Sequence, residues 1–252
     1  MNESPRSDPP QPARAEFAPT RWSVVERARG PDDALARDAL EQLVRSYRFP
    51  LHAYLRRRGL DAHDADDALQ GLFARMIEQR ERWRVDRAKG RFRAWLLGAL
   101  KHYVGELGDR ERAAKRGGGR TLSLDQRGLD EHESRYAVEA RADEDPERLF
   151  ERLWSLEVAR AALERLERSE LAAGRGAAWR VLGRFVARAS EAGEYEAAAR
   201  ELGLREVALK VAVHRLRERY RDALEDEVRE TLSDGSAESV REELAALLAS
   251  LR

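Results

Sequence analysis

The sequence predicts an all-α protein, built as two small helical domains that are joined by a flexible linker. Ala, Leu, Arg and Glu dominate the chain, and all four are good helix formers. Apolar residues recur at three- and four-residue spacing, and no strand-like alternation runs long enough to compete. With 42% hydrophobic and 37% charged residues, the 252-residue chain can fill one or two cores and keep charged outer faces.

Composition also limits the classes of protein that fit. The chain contains no cysteine, which excludes disulfides and thiolate metal sites. No apolar run approaches the ~20 residues of a membrane span, so no membrane association is expected. Residues 1–19 are rich in Pro and polar residues and lack the apolar centre of a secretory signal. We therefore expect a disordered leader and a cytoplasmic protein.

The first domain is predicted over residues 20–116, and its first long helix over residues 34–58. Pro50 should kink or divide this helix, because proline removes a backbone donor and crowds the preceding turn. Gly59 should end it. The apolar stripe of the helix consists of Leu40, Leu43, Val44, Tyr47, Leu51, Tyr54 and Leu55.

Two further helices complete this domain. The first should be capped by Asp61, with Leu69, Leu72, Phe73, Met76 and Ile77 inward and Asp64, Asp67, Gln70 and Arg75 outward. The second should span Gly90 to Arg116, with Phe92, Trp95, Leu96, Ala99, Leu100, Tyr103 and Val104 apolar and a basic end at Arg110, Arg112, Lys115 and Arg116. Residues 82–120 hold twelve Lys/Arg against four Asp/Glu, a net charge of +8, which indicates a surface facing a polyanion.

Residues 117–146 have the composition of a linker. They begin with three glycines, and residues 123–147 carry three Arg against nine acids, a net charge of −6. The glycine triplet is not a phosphate-binding loop, since it lacks a preceding strand and the Gly-Lys-Ser/Thr that would hold a nucleotide. A flexible spacer is the expected structure.

The second domain is predicted over residues 147–227. One helix should begin near Pro146, and a second should span Ala177–Ala189. A helix-turn-helix then follows over Tyr195–Arg221, in which Gly203 ends the first helix in a left-handed conformation. In the second helix, the expected inward residues are Val207, Val211, Leu216 and Tyr220, and the expected outward residues are Lys210, Arg215, Arg217, Arg219 and Arg221.

The charge of this helix-turn-helix favours DNA. Residues 200–221 contain seven Lys/Arg against three Glu, a net charge of +4 within a chain of net zero. A cationic helix fits the major groove, and each Lys or Arg that neutralises a phosphate releases a counterion. The alternative that stays open is an ordinary helical hairpin with a solvated arginine face.

A tail over residues 228–252 should carry an amphipathic helix, capped by Ser239 and with Glu242 completing a capping box. Its apolar face consists of Val240, Leu244, Leu247, Leu248 and Leu251. Residues 222–243 hold nine acids against two Arg, a net charge of −7. The tail can therefore either cap the second domain with its leucines or fold back and compete with phosphates for Lys210–Arg221.

Enzymatic chemistry is not expected. The five histidines, His52, His63, His102, His132 and His214, are scattered without metal-ligand spacing. No segment places a nucleophile beside a base and an oxyanion donor, and no cofactor is expected. Trp95 is more often a core residue than a base-stacking one, because its helix must also bury a stripe.

Three segments together resemble the extracytoplasmic-function sigma factors, members of the sigma-70 family of RNA polymerase subunits. Residues 64–75 (DADDALQGLFAR) resemble the acidic helix of sigma region 2, and residues 90–96 (GRFRAWL) resemble the FRAWL box that opens the promoter-melting helix. Residues 195–224 resemble the region 4 helix-turn-helix. The order of the segments, divided by a linker, is that of the family.

The resemblance implies a role for each segment, with core RNA polymerase (its β′ and β subunits) and promoter DNA as partners, and it also allows an anti-sigma factor. Docking on the β′ subunit is implied for Asp64, Asp67, Gln70 and Arg75. Contact with the minus-10 element is implied for Arg93, Trp95, Lys101, His102, Arg110 and Arg112. Contact with the minus-35 element is implied for Arg205, Lys210, His214, Arg215, Arg217 and Arg219.

The chain departs from the family pattern in several places. Lys101-His102 stands where the family has Arg-Asn, and Glu106 where it has Asp. Val207 occupies a turn position where Gly or Ser is common, and the tail beyond residue 226 lies outside the minimal family. Two other functions remain as alternatives: a stand-alone helix-turn-helix regulator that binds duplex DNA without polymerase, and a helical adaptor with merely solvated basic faces.

Overall fold

A computed structural model describes residues 22–83, 85, 91–114, 126–141, 143–188, 190–232 and 235–252. Over these residues the protein is all-helical, as the sequence predicts. The helices are α1 (Trp22–Ala28), α2 (Asp33–Arg57), α3 (Ala62–Glu78), α4 (Phe92–Ala114), α5 (Gln126–Glu139), α6 (Pro146–Ala172), α7 (Gly176–Leu182), α8 (Glu194–Glu201), α9 (Glu206–Thr231) and α10 (Ala237–Ser250). The predicted leader, residues 1–19, lies outside the described residues.

Local signals place several helix ends where the sequence predicts them. Asp61 caps α3 by accepting a hydrogen bond from the backbone N–H of Asp64. Gly59 and Gly203 have φ values of +94° and +65°, a left-handed conformation that side-chain-bearing residues rarely adopt. Of the two effects predicted for Pro50, a kink or a division of the helix, division is wrong, because α2 runs through it. Pro50 and Phe49 are both buried, so core packing on this segment outweighs the lost backbone hydrogen bond.

One core holds α1 to α4 together and extends into later helices. Leu43, Leu69, Leu96 and Leu100 lie within it, and so does Trp154 of α6. A second core lies among the end of α6 and helices α7, α8 and α9. We call α1 to α4 the first group of helices and α7 to α9 the second. The predicted domain boundary at residue 146 coincides with the start of α6, yet this helix packs on both groups of helices.

The predicted linker contains a packed helix, α5, so a flexible spacer is not what residues 126–139 form. α5 lies against α2 and α3. Its Arg135 guanidinium lies 3.7 Å from the centre of the Phe49 ring, and Glu133 accepts a hydrogen bond from Arg56 at 2.8 Å. Alternating acids and arginines here pair with other helices, which composition alone did not indicate. Residues 117–125 lie outside the described part of the chain.

The tail helix α10 packs on α6 and α9 through Val240 and Leu247. Ser236 is the N-cap of this helix, and its hydroxyl accepts a hydrogen bond from the backbone N–H of Ser239. The prediction that Ser239 is the cap is therefore wrong by three residues. Ser250 donates a hydrogen bond to Ser155 of α6 at 2.8 Å. These contacts favour the apolar-cap interpretation of the tail over competition for the cations of α9.

None of the helices described here is both long enough and apolar enough to cross a membrane.

Candidate nucleic-acid interface

The acidic surface of α3 consists of Asp64, Asp67 and Gln70. Asp64 is exposed in the first helical turn, whereas Asp67 and Gln70 are half-buried. Gln70 donates its side-chain N–H to Asp66, which is fully buried and also accepts a hydrogen bond from Arg48 at 2.7 Å. The sequence prediction missed Asp66, because only the fold shows that this acid points inward to an arginine of α2.

Arg75, which was predicted to share this surface, instead ties α3 to α4. Its Nη1 lies 2.5 Å from the Glu106 Oε2, and its guanidinium lies 5.9 Å from the centre of the Tyr103 ring. The hydrogen bond that Arg75 donates to Glu106 raises the pKa of Arg75 above its ordinary value. Ile77, two residues on, is exposed rather than inward, because the buried stripe of α3 ends at Met76.

An aromatic cleft of about 240 Å³ opens between the end of α3 and α4. Its walls include Trp83, Trp95 and Tyr103, with Arg82 and His102 at its edge. The Trp83 indole is buried and donates to the backbone carbonyl of Met76 at 3.1 Å, and its ring lies 5.7 Å from that of Trp95. Trp95 is half-buried, so it both packs on the core and lines the cleft.

The basic residues of α4 differ sharply in exposure. His102 is exposed, with its Nε2 3.0 Å from Glu106. Lys101 is more than one-third exposed and its Nζ lies 2.6 Å from Glu147. The hydrogen bond to Glu147 raises the Lys101 pKa. The predicted sites Arg110 and Arg112 have side chains outside the described residues.

Arg93, in contrast, is an internal residue with 5% of its side chain exposed. Its guanidinium lies 2.8 Å from Glu151 of α6 and 2.5 Å from Glu243 of α10, and 4.0 Å from the centre of the Trp154 ring. Burial by itself lowers the pKa of Arg93, but the two carboxylates outweigh it and the net shift is upward. Arg91 also pairs with Glu243, at 2.5 Å. The FRAWL-like segment is thus joined to the tail helix.

The segment predicted as a helix-turn-helix contains α8 and α9. Its inward residues on α9 are Leu209, Val213 and Leu216, all nearly inaccessible to solvent. The prediction that Val207 and Val211 face inward is wrong, since they are 73% and 46% exposed. At 100° per residue, Leu209, Val213 and Leu216 share one face, and the two valines lie on the opposite one.

The predicted minus-35 residues divide into two groups. Arg205, Lys210, His214 and Arg215 are exposed. Arg217 donates from Nε to the Phe185 carbonyl at 3.0 Å and from Nη2 to the Arg188 carbonyl at 2.9 Å. Arg219 lies 2.8 Å from the buried carboxylate of Glu170.

Arg217 and Arg219 therefore hold α9 against the preceding helices. Tyr220 does the same through its hydroxyl, which donates to the Ala159 carbonyl at 3.1 Å. Among the predicted minus-35 residues, the exposed ones lie at the start of α9 or in its N-terminal half.

The comparisons with known proteins bear on the first group of helices. Residues 43–105, from the middle of α2 into α4, match the family model of sigma-70 region 2. Comparison with curated proteins and with solved structures gave no match. Sigma-70 region 2 binds core RNA polymerase and promoter DNA, and sigma factors are not enzymes. Residues 43–105 are therefore similar to sigma-70 region 2, and this match supports the role of a sigma factor in promoter recognition and transcription initiation.

Proposed function

We propose that this protein is an extracytoplasmic-function sigma factor that directs core RNA polymerase to a set of promoters. The observation that carries the proposal is the region 2 match over residues 43–105, followed along the chain by a basic helix-turn-helix. Neither the region 2 match nor the helix-turn-helix alone defines a sigma factor with two promoter contacts. The occurrence of both in this order along one chain supports the proposal.

Each surface has a role in this proposal. The acidic surface of α3 binds a basic surface of the β′ subunit. The aromatic cleft receives unstacked bases of the melted minus-10 element, since base stacking on aromatic rings is worth about 1–3 kcal/mol per base. The exposed N-terminal half of α9 enters the major groove of the minus-35 element, where base edges carry a distinct donor and acceptor pattern.

Charge reversal on the acidic surface tests the proposal. The variant Asp64→Arg/Asp67→Arg should lose association with core polymerase, measured by co-elution, and should lose promoter-dependent transcription. Asp64 is exposed and Asp67 half-buried near the start of α3, so lost helix-dipole complementarity should cost at most about 1 kcal/mol each. Melting temperature and helicity should therefore stay close to those of the native protein.

The chain offers a matched control in Glu238→Arg/Glu242→Arg. These are exposed acids of the tail helix, and Glu238 also lies in a first helical turn. The control should bind core polymerase as the native protein does. If the α3 variant binds core polymerase as well as the control variant and the native protein do, the docking role of α3 is refuted. Specific duplex binding without any polymerase association would favour a stand-alone regulator, and the absence of salt-dependent DNA binding would favour an adaptor.

A further inference from the structure

An apolar strip lies on the exposed side of the helix-turn-helix. It consists of Val207 and Val211 on the first two turns of α9, and Leu204 in the turn before them is also exposed. The two valines are four residues apart, so their side chains are neighbours on one helix face. Both are substantially exposed, and the core of this unit is filled by other residues of the same helix. The fold itself therefore gives the valines no packing role.

Cations border the strip on both sides. On a helical projection, Lys210 lies roughly 60° to one side of Val207 and Arg215 roughly 80° to the other. His214 lies one turn further along the same face, and all three of these side chains are exposed. Lys210 and His214 also have acidic neighbours one turn away, Glu206 and Glu218, in exposed pairs that salt and solvent weaken.

This combination of an apolar centre with cationic margins matches one occupant, the major groove of duplex DNA. The major groove admits one helix, and phosphates line its two edges. The apolar group that the base edges present on its floor is the C5-methyl of each thymine. A protein partner with an apolar docking face would not require exposed cations on both sides of that face, as Lys210 and Arg215 are here.

We propose that Val207 and Val211 determine sequence specificity by contacting thymine C5-methyl groups of the bound duplex. The inference rests on the proposed function, since it requires that α9 enters DNA. It adds the chemical feature that the helix recognises, and it assigns that recognition to two apolar side chains rather than to the arginines.

Replacing thymine by deoxyuridine tests the inference, because only the methyl group is removed. Duplexes are first selected from a randomised pool by the full-length protein, alone and with core polymerase. Each thymine of the selected site is then replaced singly, and affinities are measured at one salt concentration. The native protein should lose about fourfold in affinity for each contacted methyl, the worth of one buried carbon group. The variant Val207→Ala/Val211→Ala should show a smaller preference for thymine over deoxyuridine than the native protein, because the shorter side chains contact less of each methyl group.

Val138→Ala, at an exposed valine of α5, is the matched control and should keep the native preference for thymine. Circular dichroism should show all three proteins equally folded, because the substituted side chains are exposed. Sequence-selective binding with equal affinity for thymine and deoxyuridine sites would overturn the inference and leave duplex recognition by α9 intact. No sequence-selective binding under either condition would overturn both.

Discussion

The ion pairs of Glu243 give the most direct test of how the tail helix is held. The Glu243 carboxylate is fully buried, and it lies 2.5 Å from both the Arg91 Nη2 and the Arg93 Nη1. Removing one partner of a buried pair leaves an uncompensated charge and typically costs 3–5 kcal/mol. Arg93 would keep Glu151 and the Trp154 ring, so the lower end of that range applies.

We therefore expect Glu243→Gln, which preserves the side-chain shape, to lower the free energy of unfolding by about 3 kcal/mol. In a protein of this size, a loss of 1 kcal/mol lowers the melting temperature by about 2–4 °C, so a decrease of about 6–12 °C is expected. Urea unfolding followed by circular dichroism measures the first quantity, and calorimetry measures the second.

The neighbouring exposed residue provides the control. Glu242→Gln should change the free energy of unfolding by no more than about 0.5 kcal/mol. Glu243→Leu combined with Arg93→Met should regain much of the lost stability, because apolar replacement of a whole buried pair is often neutral or stabilising. A Glu243→Gln protein within 1 kcal/mol of the native one would refute the view that this buried charge anchors the tail.

Two further predictions concern α2 to α5. His52 and His132 lie in contact between α2 and α5, and burial lowers both pKa values, that of His132 to about 4. At neutral pH both are therefore uncharged in the folded state. Below about pH 6.5 the unfolded histidines bind protons more readily than the folded ones, so stability should fall as the pH drops from there towards 4. At pH 5, protonation of His132 in the unfolded chain should lower the free energy of unfolding, measured with urea, by about 2 kcal/mol. His132→Asn should reduce the dependence of this free energy on pH. An unchanged pH dependence would contradict the lowered pKa of His132. Gly71→Ala should lower the melting temperature, because the added Cβ would overlap the Tyr103 hydroxyl. Such overpacking costs about 1–3 kcal/mol, which outweighs the ~1 kcal/mol that alanine gains over glycine in helix propensity. Gly98→Ala, with open space around it, should raise the melting temperature, and a rise for both variants would refute the clash.

Local signals in the sequence were sufficient for the helices and many of their ends. The Asp61 cap, the left-handed Gly203 and the start of α6 behind Asp145 each depend on residues within one turn. Periodicity also identified most of the buried stripe of α3. It failed for Val207 and Val211, because a cationic helix with apolar residues on two faces does not reveal which face meets the core. Leu209, Val213 and Leu216, on the other face, pack on the preceding helices instead.

Contacts between distant segments could not be predicted from one sequence. Arg93 and Glu243 are 150 positions apart, and nothing in the composition of either segment indicates that they meet. The acidic tail suggested an attraction to the basic helix directly before it. The structure pairs its buried acid with arginines of the first group of helices instead, because the apolar face of α10 fixes where Glu243 lies.

Exposure therefore separates residues that sequence analysis treated alike. Arg215 and Arg217 are two positions apart on one cationic helix, yet Arg217 donates to two backbone carbonyls of the preceding segment while Arg215 is exposed. For Arg93 to reach a phosphate, it would have to leave two carboxylates and an indole ring, whereas His102 needs no such rearrangement. A buried guanidinium that is already paired with carboxylates gains little from DNA, since it is already desolvated and its charge is compensated. In the conformation described here, the groups best placed to meet nucleic acid are the aromatic cleft beside His102 and the apolar strip bordered by Lys210 and Arg215.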